Sequence, residues 1–376
     1  MRRGSAVLIA VAATAALVYL LAAGGSDSDD ERAGAGGVPE PVRGLVGGLS
    51  REEKVDQVLA VGFEGTDSSS PILSELAERQ LGAVFVGPGN WTDAAQLTAL
   101  LEGVRSAGSS DERVPPLVIA DQEGGSFRAF PDLPPGRREI SIAETGSADV
   151  ARRWAEEAGR ALREAGVDVN IGLVADVATL TNPLGDRTFG DDPELAAEMT
   201  AAAVQGCRAA AIACAPAHFP GLGLATGDTD LGPTSVGVDP STLAARDLVP
   251  FEAAFREGAP AVLLSHAFYA AYDPVRAGSL SAAVATGLLR ANLGFDGVAI
   301  TDDLEAGAIT AVTEVDDAAV EALRAGADLI LIGSLEPAEE AREALLAAAR
   351  SGEIPESRLD EAAGRVLELK RKLGLL

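Results

Sequence analysis

Basic side chains are scarce in this 376-residue sequence. Lysine and arginine together number 30 against 57 aspartates and glutamates, so the formal net charge is -27 at pH 7. Proteins that bind nucleic acid neutralise phosphates with clustered lysine and arginine. No run of consecutive basic residues here is longer than three. We therefore expect no nucleic-acid partner, and acidity of this kind is typical of a well-solvated surface.

Lysine, histidine and cysteine are also rare, which excludes several kinds of site. The three lysines are Lys54, Lys370 and Lys372, and none follows a strand-like run, where a Schiff-base lysine would stand. The two histidines and two cysteines are never clustered, which argues against a transition-metal site. Cys207 and Cys214 suggest no disulfide framework, and we expect buried free thiols. No cofactor is implied.

The first 47 residues differ from the rest of the chain. Met1-Arg2-Arg3 precedes a mostly apolar run from Ser5 to Ala23, which is followed by the polar stretch GGSDSDDERAGAGG. This order predicts a signal peptide or membrane anchor over residues 1–25 and a flexible acidic, glycine-rich linker over 26–47. No cysteine ends the apolar run, so lipid modification is not supported. We expect an extracytoplasmic protein, either secreted or held at the cytoplasmic membrane by this segment alone.

Eight short apolar runs alternate with helical patterns from about residue 50 onward. The runs are rich in valine, isoleucine and leucine and nearly continuous in hydrophobicity, as is typical of strands covered on both faces. Between them, apolar residues recur every three to four positions among alanine, glutamate and arginine. Eight strand-then-helix units predict an α/β fold, a single-domain (β/α)8 TIM barrel over residues 48–376. The runs are 57–63, 82–88, 116–121, 167–176, 210–219, 261–266, 297–303 and 327–333.

Polar residues follow five successive runs, at the strand ends where barrel enzymes keep their functional groups. We expect them to line one carboxylate-rich cleft. Paired carboxylates indicate glycoside hydrolysis, in which one attacks the sugar and a second group handles the leaving-group proton. A triad of Ser265, His266 and Asp302 is disfavoured, because neighbouring residues of a strand point to opposite faces. The residues at these ends are Asp121, Gln122, Glu123, Asp176, Arg187, His218, Ser265, His266, Asp302 and Asp303.

Several motifs together resemble glycoside hydrolase family 3. They are VIADQEGGSFRAF, GDRTFGDDP, AHFPGLG, GVAITDDLEAGAI and the ending RVLELKRKLGL. Within the family they are most similar to the single-domain β-N-acetylhexosaminidases, which remove N-acetylglucosamine. The resemblance covers about residues 48–376 in the family's order. It implies a TIM barrel and a carbohydrate substrate.

The resemblance assigns roles to four of the strand-end residues. The nucleophile of the family falls on Asp302, and the ligand of a sugar hydroxyl falls on Asp121. A substrate-contacting arginine falls on Arg187, whose five donors in a fixed fork suit hydroxyls or carboxylates. A substrate-binding histidine falls on His218. For each of these the alternative is an internal hydrogen bond at the barrel mouth.

Three further residues carry weaker assignments. An arginine expected after the Gly-Gly turn falls on Ala129, which makes the adjacent Arg128 the candidate for substrate binding. His266, at the end of the sixth run, is a second candidate. Asp303, beside the expected nucleophile, is interpreted as a structural or helix-capping aspartate.

The stretch AHFPGLGLATGDTDLG departs from the family pattern. The family's lysine is replaced by Ala217 and its second histidine by Leu222, while the general acid/base histidine falls on Asp230 and its partner aspartate on Asp228. The pKa of Asp230 would have to rise from about 3.9 to about 6.5 to match histidine, a bias of about 3.5 kcal/mol. Burial and the like charge of Asp228 can supply a shift of that size. A solvated loop that has lost its catalytic histidine explains the same residues equally well.

Three hypotheses follow. The first is an exported, retaining glycosidase acting on β-linked N-acetylglucosamine in cell-wall-type glycan, with Asp302 as nucleophile and Asp230, helped by Asp228, as acid/base. The second is a glycan-binding barrel that kept the sugar ligands but lost proton transfer. The third keeps hydrolysis but changes the sugar at its 2-position, because two cationic substrate contacts are missing. We expect a monomer.

Overall fold

The computed structural model describes residues 37–109 and 113–376 and has mixed α/β architecture. Each of the eight apolar runs contains a strand, and these strands pair in parallel. The strands are β1 (Leu59–Gly62), β2 (Ala83–Val86), β3 (Leu117–Ala120), β4 (Val169–Val174), β5 (Ala213–Ala217), β6 (Ala261–Leu264), β7 (Val298–Thr301) and β8 (Ile330–Ile332).

The strands form a curled parallel sheet. Six of them pair in the order β8-β1-β2-β3-β4-β5, and β6 pairs separately with β7. Beyond the end of β5, Phe219 N–H donates to the Leu263 carbonyl at 2.8 Å. On the other side, Thr301 N–H donates to the Leu329 carbonyl at 3.0 Å, next to β8. The predicted α/β class is confirmed, and hydrogen bonds continue from each edge of the six-stranded sheet to the β6–β7 pair.

Helices follow most of the strands. The apolar spacing after the second, third and fourth runs predicts long helices, and these are α4 (Ala94–Gly108), α6 (Ala148–Ala165) and α7 (Pro193–Ala209). Short strands at Gln122–Gly124 and Phe127–Arg128 form a hairpin after β3, and Ser235–Val236 pairs with Phe268–Tyr269. The α-helices are α1 (Arg43–Gly48), α2 (Arg51–Gln57), α3 (Ile72–Glu78), α4 (Ala94–Gly108), α5 (Glu139–Ala143), α6 (Ala148–Ala165), α7 (Pro193–Ala209), α8 (Pro240–Ala245), α9 (Leu248–Arg256), α10 (Gly307–Thr310), α11 (Val315–Ala325), α12 (Leu335–Ser351) and α13 (Glu356–Lys372). A π-helix spans Ala283–Asn292, and 3-10 turns lie at Glu40–Val42, Pro88–Asn90, Gly185–Arg187 and Gly278–Leu280.

The strands bury both faces, which explains their continuous hydrophobicity. Alternate residues such as Val61 and Val84 pack outward into the large cluster shared with the helices. The residues between them pack inward into a second cluster that includes Ala60, Ile171 and Leu263. Several of these inward positions are alanines, which suits the restricted space inside a tightly curled sheet. The polar groups of the site therefore sit on a rigid, fully packed support.

The last part of the linker predicted over residues 26–47 is folded. Residues 40–48 form a 3-10 turn and α1, and Val42 and Val46 are buried against Leu367 of α13. The spacing of four residues places both valines on one helical face, so they can share this apolar contact. The glycine content of the segment concealed that pattern, and the prediction of a flexible linker is wrong from residue 40 onward.

The prediction of free thiols is also wrong, because Cys207 and Cys214 form a disulfide. Cys207 lies near the end of α7 and Cys214 lies in β5, and the short turn between these elements brings their Cα atoms to 6.0 Å. That separation is within the normal range for a disulfide. The bond ties a peripheral helix to the strand that leads into the site.

Within the described part of the chain, no helix has the length and hydrophobicity to cross a membrane. The apolar run from Ser5 to Ala23, which predicts a signal or anchor, lies outside the described residues.

Candidate active site

A cleft opens at the carboxyl ends of β3, β4, β5 and β7. Eight residues are predicted to act in catalysis or substrate binding, and six of them line this cleft. The lining carries more carboxylates than cations. Among the described residues, no group of three or more histidine, cysteine, aspartate or glutamate side chains could hold a metal ion. The lining residues are Asp121, Glu123, Ile171, Asn182, Pro183, Leu184, Arg187, His218, Leu222, Gly227, Asp228, Thr229, Asp230, Leu263 and Asp302.

Asp302 lies directly after β7, and its neighbour Asp303 has a different function. Asp302 N–H donates to the Leu264 carbonyl at 3.2 Å, and its Oδ1 accepts from Asp303 N–H at 2.9 Å. Asp303 turns away and accepts from the backbone N–H groups of Glu305 and Gly333, both at 3.0 Å. Burial raises the pKa of Asp303 to about 6. Asp302 therefore lines the cleft, whereas the side chain of Asp303 is taken up by hydrogen bonds from the backbone.

Asp228 and Asp230 lie on a loop that packs against the segment following Asp302. Oδ1 of Asp228 accepts from Asp230 N–H at 3.0 Å. Gly307 N–H donates to the Asp230 carbonyl at 3.0 Å. A Cβ atom at Gly307 would lie 2.8 Å from that carbonyl oxygen, so glycine permits the close approach. Both aspartates line the cleft together with Asp302.

The electrostatic surroundings of Asp230 favour its protonated form. Although more than a third of the residue is exposed, partial desolvation raises its pKa, and the negative charges of Asp302 and Asp228 raise it further. A carboxyl group beside like charges releases its proton less readily. This is the direction of change that a general acid requires.

His218 is held by a buried carboxylate. Its Nδ1 donates to Asp176 Oδ2 at 2.7 Å, and the other oxygen of Asp176 accepts from Leu222 N–H at 2.5 Å. Burial alone lowers the pKa of His218, but the Asp176 charge and hydrogen bond outweigh it, and Asp302 adds to them, so that the pKa rises to about 9. His218 is therefore a cation at neutral pH.

Arg187 is fixed by a two-pronged contact with Glu123. Its Nε donates to Oε2 at 2.8 Å and its Nη2 to Oε1 at 2.6 Å. The guanidinium also lies 4.8 Å from the centre of the Phe127 ring, within cation–π range. Both groups leave Arg187 little freedom, so its remaining donors face the cleft in one orientation.

Asp121 carries an unpartnered buried oxygen. Its Oδ1 is inaccessible to solvent and accepts no hydrogen bond from the described residues. Burial raises the pKa of Asp121 to about 7, and the Glu123 charge contributes to the rise. A Cβ at Gly172 would lie 2.7 Å from this oxygen, so glycine makes room for it. A buried acceptor without a partner costs free energy. Asp121 also lines the cleft, where its carboxyl group can accept a hydrogen bond from a ligand.

Two of the predicted substrate-binding residues do not line the cleft. Arg128 donates from Nε to the Gly125 carbonyl at 2.6 Å and from Nη1 to the Leu133 carbonyl at 3.2 Å, so it stabilises its own loop. His266 is fully buried, with Nδ1 2.7 Å from Ser279 Oγ and Nε2 2.9 Å from the Asp303 carbonyl. Both side chains are occupied by internal hydrogen bonds, which is the alternative interpretation of a polar strand end.

The sequence identifies Glu123 and Asp176 as strand-end residues but assigns them no individual role. In the structure each is the buried counter-ion of a cation in the cleft. No sequence pattern marks Asn182 as a functional residue. In the structure its Nδ2 donates to the carbonyls of Gly223 and Ala225 at 3.0 and 2.8 Å. It joins the loop after β4 to the loop after β5. The signal for Glu123 and Asp176 in the sequence is that each expected cation of the cleft, Arg187 or His218, needs a carboxylate to balance its charge.

Comparison with known proteins identifies a family and several relatives. The model of the glycosyl hydrolase family 3 N-terminal domain matches residues 50–369. A protein of Xanthomonas campestris pv. campestris named beta-hexosaminidase is 32% identical over 295 residues, which are 77% of this chain and 88% of that protein.

Two solved structures resemble this one closely. The glycoside hydrolase family 3 beta-N-acetylglucosaminidase from Paenibacillus sp. superposes with a TM-score of 0.83 at 34% identity, covering 87% of this chain. The match covers 63% of the Paenibacillus chain, slightly less than two thirds of its length. The beta-N-acetylhexosaminidase from Beutenbergia cavernae superposes with a TM-score of 0.76 at 32% identity, covering 86% of this chain and 99% of the other.

Proposed function

This chain belongs to glycosyl hydrolase family 3, and we propose that it is a β-N-acetylhexosaminidase that works with retention of configuration. The observation that carries the proposal is the meeting of Asp302, Asp228 and Asp230 in one cleft, beside a fixed arginine and a charged histidine. Two functional carboxyl groups across a sugar are what retaining hydrolysis requires. The relatives named hexosaminidase and N-acetylglucosaminidase support the choice of sugar.

In the first step, a carboxylate oxygen of Asp302 forms a bond to the anomeric carbon of the sugar. The bond from that carbon to the glycosidic oxygen breaks, and Asp230 gives its proton to the departing oxygen. In the second step, Asp230 takes a proton from water as the water oxygen attacks the same carbon and Asp302 leaves. Inversion occurs twice, so the product keeps the β configuration.

Asp228 serves this cycle through Asp230. Its carboxylate accepts from the Asp230 N–H and thereby fixes the turn that presents the acid. Its charge also helps to raise the pKa of Asp230. Two carboxyl groups whose surroundings push their pKa values apart are a known route to acid catalysis. The pair does here what a histidine does in the family pattern.

Three further groups hold the sugar. Asp121, which lines the cleft, accepts a hydrogen bond from a sugar hydroxyl. Arg187 donates to ring substituents, and Nε2 of the charged His218 donates to an oxygen of the substrate. His218 and Arg187 also balance part of the negative charge of the cleft, while the carboxylates favour the positive charge that develops on the sugar in the transition state.

The wider context is also part of the proposal. We infer that the hydrogen bonds at both edges of the curled sheet close the eight strands into the predicted (β/α)8 barrel. An export segment within residues 1–25 and an extracytoplasmic location are supported by the disulfide between Cys207 and Cys214, because disulfides persist in oxidising compartments. Such a location suggests β-linked N-acetylglucosamine in cell-wall-type glycan as the substrate.

Hydrolysis of an aryl β-N-acetylglucosaminide by wild type and by Asp302→Asn tests the function. We expect the variant to lose activity by at least about 10³-fold. The matched control is Asp149→Asn on the exposed surface of α6, which should retain full activity. Equal rates for wild type and Asp302→Asn would contradict the mechanism.

A panel of aryl glycosides that differ at the 2-position tests the sugar. Cleavage of acetamido sugars alone supports the proposal, whereas cleavage of the 2-hydroxy sugars would show that the missing cationic contacts have changed the specificity. Sugar binding by calorimetry without turnover of any activated substrate would instead identify a glycan-binding barrel.

A further inference from the structure

His266 lies beneath the turn that carries Asp302. It follows β6 and is fully buried, as is its neighbour Ser279. The ring contacts the Asp303 carbonyl through Nε2 at 2.9 Å and the Ser279 hydroxyl through Nδ1 at 2.7 Å. Both nitrogens are therefore occupied, and neither is available to a substrate.

The partners fix the tautomer of this histidine. A carbonyl oxygen only accepts hydrogen bonds, so Nε2 carries the proton and donates to Asp303. Nδ1 then accepts from the Ser279 hydroxyl. Ser279 is itself held in place, because its N–H donates to the Ser265 carbonyl at 2.9 Å. Burial lowers the pKa of His266, consistent with a neutral ring.

The contact with Asp303 reaches the nucleophile through the backbone of a single residue. Asp303 N–H donates to Asp302 Oδ1 at 2.9 Å, so the direction of that N–H sets the orientation of the Asp302 carboxylate. The side chain of Asp303 is held by Gly333 N–H at 3.0 Å. Its carbonyl accepts from Nε2 of His266 and also from Ala306 N–H, both at 2.9 Å. The backbone of Asp303 is thus restrained at its N–H, side chain and carbonyl.

We propose that His266 is a positioning residue for the nucleophile: by holding the Asp303 carbonyl, it keeps the Asp303 N–H directed at Asp302 and the Asp302 carboxylate aimed at the anomeric carbon. The inference rests on the proposed function, because it assigns His266 to the step in which Asp302 attacks. His266 acts only through Asp303, so it should affect the rate of attack and leave substrate binding nearly unchanged.

Two amide substitutions distinguish the hydrogen bond from His266 to Asp303 from a role of the ring in core packing alone. The side-chain nitrogen of glutamine can occupy the position of histidine Nε2, so His266→Gln retains a donor to Asp303. The amide of asparagine occupies the position of Nδ1, so His266→Asn retains only the contact with Ser279. The aryl β-N-acetylglucosaminide is the substrate, and thermal unfolding of each variant is measured beside its activity.

We expect His266→Gln to keep kcat within about 5-fold of wild type and His266→Asn to lose about 30- to 100-fold, since a misplacement of about 1 Å can cost that much. KM should change by less than about 3-fold in both, because the cleft lining is untouched. Equal losses of kcat in the two variants, or a loss confined to KM, would overturn the proposal.

Ser279→Ala provides a second variant that leaves the ring in place. It removes the donor to Nδ1, so the ring is no longer fixed as the Nε2–H tautomer, and we expect kcat to fall by about 3- to 10-fold with KM unchanged. An unchanged kcat would overturn the proposal even if the His266 variants do not fold. If wild type does not turn over the substrate, the proposed function is overturned as well. If wild type is active but His266→Gln and His266→Asn have the same kcat, only this inference is overturned.

Discussion

His218 donates from Nδ1 to the buried carboxylate of Asp176 across 2.7 Å. Asp176 is fully inaccessible to solvent, and His218 is 8% exposed. The pair places a positive charge in a cleft that otherwise carries mainly carboxylates. The same Asp176 also holds the backbone at Leu222, so one buried group fixes both the charge of the histidine and the start of the loop that carries Asp228 and Asp230.

Asp176→Asn should lower the pKa of His218 from about 9 to below its ordinary value near 6.5. The substitution removes the opposing charge but leaves the burial that disfavours the imidazolium. NMR titration of histidine labelled with ¹³C measures this directly, because the chain has two histidines. His266 gives the second signal, and its lowered pKa should change far less, because the charge of His218 is only a minor cause of that lowering. A His218 pKa that stays near 9 in the variant would contradict the assignment of Asp176 as its counter-ion.

Removing the disulfide should destabilise the protein. Cys207 and Cys214 are separated by 7 positions, and closing a loop of that length stabilises the folded state by about 2 to 3 kcal/mol. Denaturant unfolding of the Cys207→Ala, Cys214→Ala double variant, without reductant, measures the difference. The control is reductant itself, which should lower the unfolding midpoint of wild type and leave the double variant unaffected. Identical midpoints for the two proteins would show that the thiols are not joined.

Asp328→Asn should destabilise the fold far more than the loss of a surface ion pair. Asp328 is fully buried and pairs with Arg290, Arg358 and Arg365 at 2.5, 2.8 and 3.1 Å. Removing one partner of a buried ionic cluster costs about 3 to 5 kcal/mol, because the remaining charges lose their compensation. The control is Glu353→Gln, which breaks an exposed pair with Arg324 and should cost less than about 1 kcal/mol. Similar unfolding free energies for both variants would contradict this interpretation.

The pH dependence of stability tests the same cluster. Burial by itself raises the pKa of Asp328, but the three guanidinium groups outweigh it and hold the pKa below its ordinary value. A carboxyl group whose pKa is lowered on folding stabilises the protein at pH values above its pKa in the unfolded chain, which is near 3.9. That stabilisation is lost as the pH falls through the lower, folded value. The difference between wild type and Asp328→Asn should therefore be constant above about pH 5 and shrink below about pH 4.

Strand positions and the location of the cleft are predictable from the sequence because both follow from local patterns. A run buried on both faces needs continuous apolar residues, and polar residues at the ends of parallel strands meet at one edge of the sheet. Asp121, His218 and Asp302 come together for this reason. The assignment of the candidate acid to Asp230 comes from the family resemblance, in which the acid/base histidine falls on this residue, and not from any property of aspartate.

The features that the sequence did not predict depend on three-dimensional partners. The disulfide requires the turn between α7 and β5 to bring two thiols together, and nothing in the spacing of Cys207 and Cys214 demands it. His266 follows a strand like the cleft residues, but its ring turns inward to Ser279, 13 residues further along. Likewise Arg128 finds carbonyl acceptors within its own loop. In each case the alternative partner is set by how the chain folds, which periodicity does not describe.

The acid role of Asp230 is the central claim, and the leaving-group dependence of hydrolysis tests it most directly. Wild type and Asp230→Ala are compared on aryl β-N-acetylglucosaminides with phenols of increasing pKa, across a range of pH. We predict that Asp230→Ala stays within about 10-fold of wild type on the most acidic phenol but loses at least about 10²-fold on the poorest leaving group, because only the latter needs protonation. The fall in rate that accompanies Asp230 ionisation on the alkaline side should disappear in the variant. The same leaving-group slope and pH profile in both proteins would show that the proton comes from elsewhere.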